Sequence, residues 1–229
     1  MPRILVIGFG NRLRGDDAAG PLAAEKVAEK CRDEDEIRCD ARPQLPPELA
    51  EDVSEAEAVI FLDADAELST PDALRRLVAR HQGSGTSVSS GFPSLRGGAM
   101  LLVSLVPHAL LRSLPWPLVT RTKSPSLSAL NGQCWLVGAD VYHTHEPHEH
   151  VKNAVLEDVE IGRYLKSKGH PPTLLDVQDL VSVYMYDNFG AAWRGFRKNA
   201  YLLLGGTVPS FLLMYTGFLL TWVVAPLLS

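Results

Sequence analysis

Two apolar runs of strand length, at residues 3–7 and 58–62, constrain the fold of this chain more than any other feature. RILVI and AVIFL are too short for helices and show no polar alternation, the pattern of strands buried on both faces of a parallel sheet. The first empties into the glycine-bearing segment 8–15, and the second into Asp63-Ala64-Asp65. An amphipathic helix over 18–31, a weak strand at 37–39, a Pro-rich turn and a short helix at 48–54 fill the space between them. Thr70-Pro71-Asp72 then starts a helix that runs to about residue 80, with Thr70 as N-cap and Pro71 in the first turn. Further on, the pattern predicts a strand at 86–90, an apolar helix over 98–114, a strand at 134–137, and a helix over 151–168 stopped by Gly169. A strand at 173–177, the segment 180–186 and an interfacial helix over 189–204 complete the order. Strands alternating with helices imply an α/β fold with a mostly parallel sheet flanked by helices.

The end of the sequence differs from the rest. No charged residue follows Lys198 through Ser229, and this run is long enough to cross a hydrocarbon core of about 30 Å. Pro209 is expected to break it into a piece at 201–208 and a transmembrane helix at 210–228. Arg194, Arg197 and Lys198 precede the run, and positive charge beside a span stays cytoplasmic, so the expected location is the cytoplasmic membrane with the catalytic part facing the cytoplasm. The net charge of −5 argues against nucleic acid as a partner, which needs a basic surface. Three cysteines without C-x-x-C spacing fit neither a disulfide framework nor a zinc site.

Two carboxylate pairs could carry chemistry. Asp63 and Asp65 leave a buried strand at its C-terminal edge, where ligands bind in open α/β sheets, and can share a hard divalent cation that neutralises a diphosphate. The ordinary alternative is a solvated turn. Glu157 and Asp158 are adjacent, so one can face a site and accept a proton while the other is held by structure. The alternative there is a helix start, where acids favour the dipole. His143, His145, His148 and His150 form a third cluster, expected to be a surface loop with incidental metal affinity. Gly8-Phe9-Gly10 is followed by Leu13 where a dinucleotide fingerprint needs glycine, which excludes NAD.

From Ile60 onward, IFLDADAELSTPDALRRL, SVSSGFPS, SALNGQCWLVGADVY, HEHVKNAVLEDVEIGRYLKSKG and MYDNFGAAWRGFRKNAYLLL occur in one order and spacing. Together they resemble membrane-bound family-two glycosyltransferases of the hopanoid- and carotenoid-associated type. The resemblance implies an incomplete fold of the GT-A type and an inverting transfer from a nucleotide-sugar donor to a lipid or isoprenoid-like acceptor. By it, Asp63 and Asp65 hold manganese or magnesium and the donor diphosphate, Asp158, next to Glu157, is the general base, and Asn131, Gly132 and Gln133 lie on the acceptor side. Trp193 and Arg194, with Lys198 and Asn199, match the motif preceding that family's membrane helices, where a structural or product-side role is expected.

The family's usual first strand, acidic nucleotide-binding loop and second, Asp-bearing strand are not visible before Ala58. In their place ILVIGFGNRLRGDDAAGPLAAEKV and QLPPELAEDVSEAEAVIFLDA resemble hydrogenase maturation proteases, α/β enzymes that recognise nickel and trim a hydrogenase precursor. That resemblance implies an alternative nickel site at Asp17 and Asp63, with His81 or His108 in the region of a third ligand. The two resemblances meet within AVIFLDAD. The implied organisation is a protease-like segment over 1–66, a glycosyltransferase-like region over 60–190, and an interfacial helix with a membrane segment over 191–229. A nickel-dependent endopeptidase and a catalytically silent hybrid are the other two function classes the sequence admits.

Overall fold

The computed structural model describes residues 4–9, 25, 28–29, 37–42, 57–63, 65–104, 116–128, 130–151, 154, 156–203 and 208–220. The predicted helix at 48–54 and the loop at 8–15 lie outside these residues, as does most of the helix at 18–31, of which 25 and 28–29 are helical. Both apolar runs are strands. β1 (Ile4–Phe9) pairs in parallel with β2 (Ile37–Arg42) on one side and with β3 (Ala58–Leu62) on the other. The segment preceding Ala58 therefore supplies two strands to the sheet that carries Asp63.

β7 (Cys134–Gly138) runs antiparallel between β3 and β5 (Val88–Phe92), and β8 (Thr173–Asp176) pairs in parallel with β5. The order of this six-stranded sheet is β2-β1-β3-β7-β5-β8. It is the mostly parallel sheet expected, with one reversed strand. Because the pleat alternates, Ala58, Ile60 and Leu62 of β3 join one apolar layer, while Val59 and Phe61 join the other. The first layer is closed by α1 (Ala73–Gly83) through Leu74, Leu77 and Val78. The second is closed by α3 (Ala139–His145) and α5 (Glu157–Ser167) through Val141, Tyr142, Ile161 and Leu165. Phe61 and Trp135 sit directly opposite across β3 and β7, with ring centroids 4.1 Å apart and planes 10° from parallel. Such a pair adds roughly 0.5–1.5 kcal/mol beyond its area burial.

A second sheet has the order β4-β9-β6, from β4 (Ala66–Leu68), β9 (Val181–Tyr184) and β6 (Ser94–Arg96). Its three-residue outer strands carry too little periodicity to be visible in sequence. The remaining helices are α2 (Trp116–Arg121), α4 (Pro147–Val151), α6 (Phe189–Leu203) and α7 (Val208–Leu219).

Several local expectations change. Helix α1 begins at Ala73 rather than beside Thr70, and Asp72 occupies the cap position without a side-chain cap bond. Thr70-Pro71-Asp72 is a turn leading in, closed by the Ala73 N–H on the Thr70 carbonyl at 3.2 Å. The helix foreseen over 151–168 starts at Glu157, whereas Val151 ends the short α4. Its stop is as expected. Gly169, at φ 94°, donates to the Lys166 carbonyl while His170 donates to Leu165, both at 3.0 Å, the paired closure of a left-handed cap. The histidine-rich stretch is helical, in α3 and α4, rather than a loop. Of the expected apolar helix over 98–114, residues 100–104 are helical and 105–115 lie outside the described residues.

The transmembrane helix expected over 210–228 is not supported. Pro209 stands in the first turn of α7, where its missing N–H costs nothing, instead of breaking a helix there. Helix α7 has 12 residues, ~18 Å of rise. Among the described residues no helix is long and apolar enough to cross a membrane, and residues 221–229 lie outside them.

Candidate functional site

The reversal of β7 places the candidate residues together. Leu62 and Cys134 are partners, so the end of β3 and the start of β7 share one sheet edge. The Asp63 N–H extends that ladder to the Gln133 carbonyl at 3.0 Å. Residues 131–133 turn the chain into β7 and are pinned from β5. The Asn131 N–H donates to Ser90 Oγ and its Nδ2 to the Gly91 carbonyl, both at 2.9 Å. Gly132 faces the other way, its N–H donating to Asp158 Oδ2 at 3.1 Å. A hydrogen-bonded arc thus runs from Asp63 through Gln133 and Gly132 to Asp158.

Asp158 lies in the first turn of α5, where the helix dipole favours a carboxylate. Its Oδ1 accepts the Val159 N–H at 2.8 Å. Burial nevertheless holds its carboxyl above the ordinary carboxylate range, against the lowering pull of the Val159, Gly132 and Asp158 N–H groups. Glu157 is raised by loss of solvation and then by Asp158 beside it, although the residue as a whole is exposed. Asp158, the candidate base, is thus the carboxylate tied into structure at the sheet edge, and Glu157 is the one facing outward.

Asp63 is half-buried and Asp65 exposed. The end of β9 lies beside them. The Tyr184 N–H donates to the Asp65 carbonyl at 3.2 Å, and Gln133 Nε2 reaches Met185 Sδ at 2.7 Å. Burial, then Asp65 and Asp63, raise the Tyr186 phenol above its ordinary range. Among the described residues no group of three or more His, Cys, Asp or Glu could hold a metal ion. The donor set still fits manganese or magnesium, because such ions are commonly held by one or two carboxylates plus substrate phosphate oxygens rather than by a protein cage.

Trp193 and Arg194 lie on α6, which packs on this region through its opposite side. Ala192 is fully buried beside Met185, Tyr186 and Phe196, whereas Trp193 is 53% exposed and Arg194 is exposed. Trp193 stacks on Phe189 with centroids 6.4 Å apart. Lys198 and Asn199 lie on the same helix.

The alternative nickel set is not assembled among the described residues. Asp17 and His108 lie outside them. His81 is buried on α1, its Nδ1 paired with Ser89 Oγ at 2.7 Å, and burial lowers its pKa. The four clustered histidines diverge as well. His143 and His150 are exposed, the latter stacked on Tyr164, and His148 packs between Phe61, Trp135 and Tyr142 with Nδ1 2.8 Å from the Tyr142 hydroxyl. Burial pushes the His148 imidazole down to about 3.

Sequence reasoning missed Met185 and Tyr186. Both open the motif MYDNFGAAWRGFRKNAYLLL, and their partners are too distant along the chain to be inferred.

No family model and no curated protein sequence matches this chain. Among solved structures, it is similar to S. aureus TarS residues 1–349 in complex with UDP-GlcNAc, with 10% identity, TM-score 0.44, and coverage of 84% of this chain and 61% of that one. It is also similar to the mannosyltransferase PcManGT from Pyrobaculum calidifontis in complex with GDP-Man and Mn2+, with 13% identity, TM-score 0.46, and coverage of 94% and 79% respectively. The chain therefore spans about three fifths of the TarS fragment and about four fifths of the mannosyltransferase.

Proposed function

We propose that the chain is an inverting glycosyltransferase that moves a sugar from a nucleotide-sugar donor to a hydroxyl of a lipid-like acceptor. The observation that carries this reading is the arc from Asp63 to Asp158, which sets Asp63, beside Asp65, and the half-buried Asp158 carboxylate on one sheet edge. The order of the five motifs from Ile60 onward points the same way. Asp63 and Asp65 bind the donor's diphosphate end, where a divalent cation would neutralise the departing charge. Asp158 accepts the proton of the acceptor hydroxyl. The acceptor oxygen then bonds to the anomeric carbon as the bond from that carbon to the diphosphate oxygen breaks, which inverts the centre. Asn131, Gly132 and Gln133 shape the acceptor side between the two groups.

Membrane attachment belongs to the same proposal, at a surface rather than through a span. Phe189 and Trp193 of α6, together with Val208 and Leu212 of α7, are exposed apolar side chains close in sequence to Arg194 and Arg197, the composition of an interfacial helix. The cytoplasmic face of the membrane is the proposed location.

The test is equilibrium binding of a uridine-diphosphate sugar to purified full-length protein, with and without manganese. Binding that requires manganese and is lost in the Asp63→Asn, Asp65→Asn double variant is the expected result. Absence of binding by the parent chain would sink the donor assignment and leave a silent hybrid with a glycosyltransferase's acceptor side.

A further inference from the structure

The stretch that enters β7 is clamped lengthwise on α5. Asp158, Gly162 and Lys166 stand four residues apart, so they form one stripe along that helix. Each of the three meets the incoming chain. Asp158 Oδ2 accepts the Gly132 N–H at 3.1 Å, the Gly162 carbonyl accepts the Ser128 hydroxyl at 2.9 Å, and Lys166 Nζ donates to the Leu127 carbonyl at 2.8 Å. Residues 127–132 therefore run antiparallel to the helix. Leu130 of the same stretch joins the apolar layer that holds Ile161 and Leu165.

Lys166 is the unusual rung of this ladder. Only 4% of it is exposed, and burial lowers its pKa. Burying an ammonium is costly unless a charge partner compensates. Among the described residues its acceptors are neutral, the Leu127 carbonyl and, at 3.4 Å, the Thr122 hydroxyl. Those two acceptors are the feet of an exposed loop, residues 123–126. The loop closes on itself through the Leu127 N–H on the Ser124 carbonyl at 3.2 Å, and Thr122 donates its hydroxyl to the Leu118 carbonyl of α2 at 2.7 Å. One buried ammonium thus ties both feet of the loop to the helix that carries Asp158. An apolar side chain of similar volume would fill the same space without the desolvation cost, so packing alone does not call for lysine here.

We propose that Lys166 is a positioning residue for Asp158: by holding the feet of the loop it sets the register of residues 127–132 on α5 and keeps the Gly132 N–H on the carboxylate. The catalytic meaning of that placement rests on the glycosyltransferase reading, in which Asp158 is the base. The placement itself is measurable without it.

The test follows the Asp158 carboxyl and the Gly132 amide by NMR in full-length protein labelled at aspartate carboxyls and glycine nitrogens, with Asp158→Asn identifying the carboxyl signal. Lys166→Met keeps the stem and removes the charge, whereas Ser128→Ala removes the middle bond and no charge. Glu157 beside Asp158 and Asp63 at the far end of the arc are the ionisable neighbours, and neither variant alters them. In the parent the Gly132 amide should track the Asp158 titration. In both variants it should stop doing so, and the carboxyl should titrate at higher pH, because its charged form has lost a donor. Lys166 lies about 12 Å from Asp158 along the helix. A shift in Lys166→Met with Ser128→Ala at the parent value would therefore report only the loss of a distant charge and would overturn the assignment. A lowered thermal midpoint with parent-level titration in both variants would do the same, leaving Lys166 a packing residue. UDP binding with manganese on the same samples separates the two claims: a parent chain that binds no nucleotide takes down the glycosyltransferase reading, while the Asp158 titration still decides what Lys166 places.

Discussion

At the scale of single residues, two titrating groups define what the molecule should do as pH changes. In the proposed role of base Asp158 must be ionised, and burial raises its carboxyl above the ordinary range, so the proposed transfer activity should rise with pH through that shifted range. Asp158→Asn should lower the rate about 10²- to 10⁴-fold, checked by turnover with a lipid-like acceptor under saturating donor. A variant with near-parent turnover would remove Asp158 from the role of base. His148 works on stability instead. Its folded-state pKa is depressed, so the unfolded chain binds the proton more readily, and stability present above pH 6.5 is lost as pH falls toward about 3. His148→Gln can still pair with the Tyr142 hydroxyl but does not titrate, and thermal melts across that window should show a flatter slope than the parent. Sequence placed Asp63, Asp65, Glu157 and Asp158 as candidates because carboxylates at a strand end or helix start are locally recognisable. The bonds from Asp63 to Gln133 and from Gly132 to Asp158 were not legible, since each joins residues far apart in the chain.

Among the secondary-structure elements, β1, β3, β7, β8 and α6 lie close to the bounds read from sequence, and β3 and β7 are those whose burial writes a continuous apolar run. Strand β2 extends three residues beyond the weak signal at 37–39 because pairing with β1, not side-chain pattern, holds Asp40 through Arg42. The small sheet escaped notice for the same reason, its strands being defined by partners rather than by periodicity. Tight packing between elements is where substitution should tell most. On β5, a Cβ at Gly91 would lie 2.8 Å from Cys134 Sγ and 3.1 Å from the Cys134 carbonyl, and the Gly91 carbonyl is the acceptor for Asn131. Gly91→Ala should therefore destabilise by roughly 1–3 kcal/mol in urea unfolding, with the slope unchanged. An unaffected midpoint would mean that β5 and β7 can part at no cost.

For the whole molecule, the two resemblances in the sequence do not correspond to two separate sheets. β1 lies between β2 and β3, and β3 is buried along its full length. The prediction is that a chain starting at Glu57 loses cooperative unfolding and aggregates, because it exposes an apolar parallel edge with no cover. Size-exclusion chromatography and thermal melts of that truncation against the full chain decide it; a monomeric fragment with a parent-like transition would show the first strands to be dispensable. That β1 stands directly between β2 and β3 could not be read from sequence, because parallel pairing leaves no local mark of which strands are neighbours.

The small sheet carries a consequence for how the protein is made. Ala66, Glu67 and Leu68 emerge from the ribosome directly behind the two aspartates, but their partners Val183, Ser182 and Val181 follow much later. Gln133, which accepts the Asp63 N–H, also comes much later. The carboxylate pair is thus synthesised well before the residues that hold its backbone, and a nascent chain halted before β9 would leave β4 without its partner strand.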